Sequence, residues 1–158
     1  MNEANLSAPE DLPLGEFLTY RLNILSNLLN RQTERFLQRH HGIAIPDWRV
    51  LFLLARGGSM SVRELSALSK MDRALVSRVT KRLAQAGLIS SKISSVDARL
   101  VELSISGSGL DLYHQILPHA LTRQQVLQSV LGEQKLADLN LAVDQLTQFA
   151  EEKGDDLF

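Results

Sequence analysis

Between Asp72 and Gly87, basic and hydroxyl side chains recur at a spacing that can hold nucleic acid. Arg73, Ser77, Arg78, Lys81 and Arg82 interleave with Leu75, Val76, Val79 and Leu83 at helical steps. The apolar set shares one face of a helix and the basic set takes most of the remainder. A guanidinium on such a face can bridge two acceptors of a guanine edge, and an ammonium can neutralise a phosphate. The element that must present these groups runs over 72–86. Asp72 is its predicted N-cap, and Gly87 its stop, because glycine enters the left-handed region without penalty. The expectation is the recognition helix of a DNA-binding domain.

Charge distribution agrees. The 158-residue chain has a net charge of −1, yet residues 61–103 carry +4 and the rest −5. A basic block in an acidic protein is an electrostatic footprint, although charge alone fits a merely solvated face as well. Hydrophobic residues make up 44% and there are no cysteines. Thiolate metal sites and redox thiols are thereby excluded. The length suits one domain with a sizeable core. No apolar run approaches the length of a membrane span, and the acidic start lacks the features of a signal peptide, so a cytoplasmic protein is expected.

The surrounding chain reads as mainly α with a small β-wing. Residues 1–13, with Pro9 and Pro13, are predicted to be a flexible N-terminal arm. A long helix follows from Leu14 to about His40, closed by Gly42. Pro46 presets the first turn of a second helix, whose buried face is expected at Trp48, Leu51, Phe52 and Ala55, widened by Val50, Leu53 and Leu54 so that the helix is buried on most sides. Ser61 and Glu64 form a capping box for a short third helix, buried through Leu65 and Leu68. That helix and 72–86 make a helix-turn-helix. Ile89–Ile93 and the alternating Val101–Ile105 predict a β-hairpin, or wing. Two helices, 108–131 and 133–153, complete the chain, with Pro118 expected to kink the first and Gly132 between them.

This order resembles the MarR family of winged-helix regulators over about residues 14–150. The densest match runs from Leu65 to Gly109: Leu83, Gly87, Leu88 and Ile89 after the recognition helix, Asp97-Ala98-Arg99 in the wing, and Ser106 and Gly109 at the next helix start. The resemblance implies that Arg99 enters the minor groove with Asp97 orienting it. A weakly hydrated guanidinium suits the negative potential there. Arg73, Ala74, Ser77 and Arg78 fall at positions resembling the family's groove-facing set, and Ala74 could touch a thymine methyl. Lys81 and Lys92 suit phosphates, and Ser61 could offer its hydroxyl to another. Ala98 stands where many relatives carry a second charge, so this wing is less basic than most.

The resemblance further implies a winged helix-turn-helix domain at 43–105, with dimerisation helices at 14–42 and 106–153. It also implies a homodimer on double-stranded DNA, released by a small-molecule effector such as an aromatic carboxylate or its CoA thioester. Candidate effector contacts are Tyr20, Asn23, Asn27 and Arg31 on the first long helix, with Trp48 and Arg49 on the second, although Trp48 also fits a core position. No phosphate loop or nucleophile motif marks an enzyme, and no cofactor is expected. The alternatives are a winged-helix adaptor without DNA binding, or a metal-responsive regulator. The latter has only scattered histidines: His40 and His41 are adjacent, and His114 and His119 are five apart.

Overall fold

In the computed structural model, which describes residues 12–93 and 101–153, helical elements dominate. A 3-10 turn at Leu14–Glu16 leads into α1 (Leu18–His41), α2 (Ile45–Gly57), α3 (Val62–Ser69) and α4 (Arg73–Gln85). Strands β1 (Ile89–Ile93) and β2 (Val101–Ile105) follow, then α5 (Gly107–Leu131) and α6 (Glu133–Lys153). The predicted arm, up to residue 11, lies outside the described residues, as do 94–100 and 154–158. Contacts divide the chain into two units, Met1–Leu112 and Tyr113–Phe158.

The ends of the elements follow from their residues. Gly42 closes α1 at φ +66°, a left-handed turn that a Cβ would disfavour. Ser61 and Glu64 form the expected reciprocal box at α3: Glu64 N–H donates to Ser61 Oγ at 3.2 Å, and Ser61 N–H to Glu64 Oε2 at 2.7 Å. Asp72 caps α4 by accepting from Leu75 N–H at 2.7 Å.

The core of the first unit joins Leu37 of α1, Val50, Leu51 and Leu54 of α2, and Leu65 of α3 to Val76, Val79 and Leu83 of α4. Ile89 and Leu103 close it from the hairpin. Each such side chain stabilises the unit by about 1.5–3 kcal/mol through removal from water. β1 and β2 pair antiparallel, Ile89 opposite Ile105 and Ile93 opposite Val101. Met60 adds a one-residue bridge, exchanging both backbone hydrogen bonds with Leu103 at 2.8 and 2.9 Å. That third rail was not predicted.

Several burial expectations are corrected. On α2 the buried face is Asp47, Val50, Leu51 and Leu54, whereas Phe52 is 37% exposed and Trp48 and Ala55 are half-buried. That face is the predicted one turned back by one residue onto Val50, Leu51 and Leu54, and Asp47 is admitted to it by an ion pair, described below. On α3, Leu68 points outward and is 58% exposed. On α4, Thr80 takes a core position and Leu75 is only half-buried. Thr80 is tolerated there because its hydroxyl donates to Ser77 C=O at 3.1 Å.

Much apolar surface is left uncovered. Leu14, Leu18, Leu22, Leu25 and Leu28 lie along one side of the first long helical stretch, and each is at least 42% exposed. In the second unit α5 runs through Pro118 as one helix. α6 buries no residue, and its Leu139, Val143, Leu146 and Phe149 recur at helical steps with each at least 44% exposed. Monomeric proteins rarely leave such runs open to water.

Candidate nucleic-acid interface

The helix-turn-helix is fixed by hydroxyls and one strained residue. Ser69 Oγ donates to Leu65 C=O at 2.6 Å and accepts from Met71 N–H at 3.3 Å. Ser66 Oγ donates to Met71 C=O at 2.7 Å. Between them Lys70 adopts φ +55°, a left-handed conformation disfavoured for a side chain with a Cβ. The buried Met71 then anchors the turn, and Asp72 starts α4.

With Val76, Val79 and Leu83 sunk in the core, the opposite face of α4 is set. Arg73, Ala74, Ser77, Arg78 and Lys81 are all exposed. Positions 74, 77, 78 and 81 form one stripe at three- and four-residue steps. Arg73, Arg78 and Lys81 make no ion pair among the described residues, so their charges are uncommitted. Of the sequence-predicted set, these five residues come together on one surface.

Other candidates stand differently. Ser61 Oγ donates to Glu64 Oε2 at 2.7 Å, so its only proton is engaged and a carboxylate sits beside it. The Ser61 amide and then its hydroxyl hold the Glu64 carboxyl below its ordinary 4.5. The geometry gives Ser61 a capping role. Lys92 is exposed on β1 but stands opposite Glu102 in the ladder, which offsets part of its charge. Asp97 and Arg99 lie outside the described residues.

Among the described residues, three of the effector candidates line two separate hollows. Tyr20 lines a shallow hollow of about 300 Å³ with Gly15, Arg21, Ile24, Leu25 and Leu28. Trp48 and Arg49 line another, of about 370 Å³, with Phe52, Leu53, Leu68 and Ser69. Asn23 and Asn27 bond each other at 3.1 Å, and Arg31 lines neither hollow. Among the described residues no group of three or more His, Asp or Glu could hold a metal ion, and no helix is long and apolar enough to cross a membrane.

One participant is placed otherwise than its residue type suggests. Arg82 belongs to the basic set of α4, yet its Nε and Nη2 donate to Asp47 Oδ1 at 3.1 and 2.5 Å. Asp47 is buried, and its Oδ2 accepts from Ala44 N–H at 2.9 Å. The only local signal was Asp47 at the third position of α2, where a carboxylate can cap.

Residues 43–101 match the MarR family model. The HTH-type transcriptional regulator FarR of Neisseria gonorrhoeae is 30% identical over 90 residues, which cover 57% of this chain and 62% of that relative. Among solved structures, the MarR/EmrR family transcriptional regulator from Acinetobacter sp. ADP1 has a TM-score of 0.82 at 23% identity, over 89% of this chain and 99% of that one. Bordetella bronchiseptica BpsR, described with regulation of its DNA binding by 6-hydroxynicotinic acid, has a TM-score of 0.74 at 20% identity, over 90% and 98% of the two chains. These structures share the winged-helix fold, and the FarR relative is a transcriptional regulator.

Proposed function

We propose, for a chain that belongs to the MarR family through residues 43–101, a homodimeric transcriptional regulator that binds double-stranded DNA and represses until an effector releases it. The observation that carries this is the exposed, uncommitted stripe of α4 backed by a buried apolar face. In this reading Arg73, Ala74, Ser77 and Arg78 meet base edges in the major groove, as the N-terminal half of a recognition helix does. Lys81 and Lys92 hold phosphates, and Arg99, oriented by Asp97, enters the minor groove. The 43–105 segment is the DNA-binding part, and the flanking helices form the dimer.

The uncovered leucines of α1 and the apolar face of α6 support a second copy as their cover. A C2 dimer presents two α4 helices to a pseudo-palindrome with half-sites about one helical turn apart. Such work belongs in the cytoplasm. For the effector, the hollow beside Trp48 and Arg49 has an aromatic wall and a guanidinium without an ion pair among the described residues, which suits an aromatic acid or its CoA thioester. Regulation of the DNA binding of BpsR by 6-hydroxynicotinic acid, a pyridine carboxylic acid, favours the same class. Selection of duplexes from a random pool tests the proposal. Recovery of a pseudo-palindrome with half-sites about 10 base pairs apart is expected. A pool that remains random after repeated rounds contradicts it.

A further inference from the structure

Three side chains from three helices meet around the start of α2, two of them joined to each other through its backbone amides. Glu34 of α1 accepts from Ile45 N–H through Oε2 at 2.9 Å. Asp47 accepts from the adjacent Ala44 N–H through Oδ2, again at 2.9 Å. Its other oxygen receives both Arg82 donors from α4. Two carboxylates thus hold two successive amides at the start of α2, and one of them also carries α4. Helix-start amides lack intrahelical partners, so this is a place where side chains can tie separate elements together.

We propose that Asp47 and Arg82 are positioning residues for DNA reading, and that Glu34 extends the tie into α1, so that the pitch of α4 follows α1. The proposal rests on the DNA-binding reading above. Val76, Val79 and Leu83 fix how deep α4 sits, but apolar contact is non-directional and sets its rotation and tilt only loosely. The Arg82–Asp47 pair is directional, with two donors on one oxygen. Arg82 follows Lys81 directly and lies one turn from Arg78, so its anchorage decides where both of those side chains reach. Its side chain is 55% exposed, and a half-exposed ion pair adds little to stability by itself. Its value lies in orientation, and the bonds through α2 give movements of α1 a physical route to the groove-facing stripe.

Arg82→Gln, Glu34→Ala and the double variant test this in the full-length dimer. The probes are a duplex selected by the wild-type protein from a random pool and a scrambled duplex of the same composition. Each single variant is expected to lose about tenfold affinity for the selected duplex and none for the scrambled one, with the salt slope unchanged. The double variant should lose less than the product of the two, because both cut one tie. Arg82→Lys, which keeps charge and one bond, should recover part of the selectivity. A salt slope reduced by about 1.8, with both duplexes weakened alike, would make Arg82 a phosphate contact and overturn the proposal. Unchanged selectivity would also overturn it. If the wild-type protein selects no duplex from the pool, the DNA reading fails, and the tie is judged by spin-label distances between Arg39→Cys and Gln85→Cys in this cysteine-free chain. Arg82→Gln and Glu34→Ala should broaden that distribution, and an unchanged width would sink the tie.

Discussion

Gly109→Ala should destabilise the protein although alanine is the better helix former. Gly109 sits in the first turn of α5, where its N–H donates to Ser106 Oγ at 3.0 Å. A Cβ there would lie 2.0 Å from the Leu88 carbonyl oxygen and 2.9 Å from Ile105 Cγ1. The carbonyl cannot step aside cheaply, because it accepts from Ser106 N–H at 3.0 Å while Ser106 Oγ donates to Gly87 C=O at 2.6 Å. Overpacking of this kind costs about 1–3 kcal/mol. Loss of one hydrogen bond adds about 1 kcal/mol. The gain in helix propensity returns about 0.5–1 kcal/mol. The net loss is about 2 kcal/mol, a fall in Tm of about 4–8 °C for a chain of this size. Gly107→Ala is the internal control, since nothing lies within 4 Å of its Cβ. Thermal unfolding followed by circular dichroism reads both. A Tm for Gly109→Ala equal to or above wild type, or an equal fall for Gly107→Ala, would refute the close approach of α5 to the Leu88 backbone.

Three further outcomes are expected. Leu25→Glu with Leu28→Glu places two charges on the exposed stripe of α1 and should halve the mass seen by light scattering; an unchanged mass would put the dimer contact elsewhere. Glu64 has a depressed carboxyl pKa, so its cap bonds stabilise fully above its ordinary 4.5 and are lost as pH falls below that value. Glu64→Gln should therefore flatten the dependence of Tm on pH in acid, and an unaltered profile would remove Glu64 as its source. Arg78→Ala should cost about 1–3 kcal/mol of discrimination between a selected and a mismatched duplex, measured by competition binding, whereas equal loss on both would make Arg78 a backbone contact.

Local signals were legible in the sequence where local chemistry decides the structure. The Ser61–Glu64 box, the Asp72 cap, the Gly42 stop and the β1–β2 strand limits all follow from residues within a few positions of each other. The exposed stripe of α4 was legible for the same reason, since period alone separates Val76 and Val79 from Ser77 and Arg78. Long-range pairing was not. Asp47 and Arg82 are 35 residues apart, and no spacing rule joins them, so Arg82 read as one more surface cation. Met60 pairs with Leu103 through backbone groups that any residue carries. Phe52 and Leu68 were expected inside because periodicity marks an apolar face without saying what covers it.

The central claim is that the face of α4, with the wing, grips double-stranded DNA. Fluorescence anisotropy of a selected duplex across a salt series tests it most directly. Lys81 and Lys92 on each protomer give four phosphate contacts per dimer, so log K should fall against log salt with a slope of about −3.6. A slope near zero, or equal affinity for selected and scrambled duplexes at every salt concentration, would contradict it.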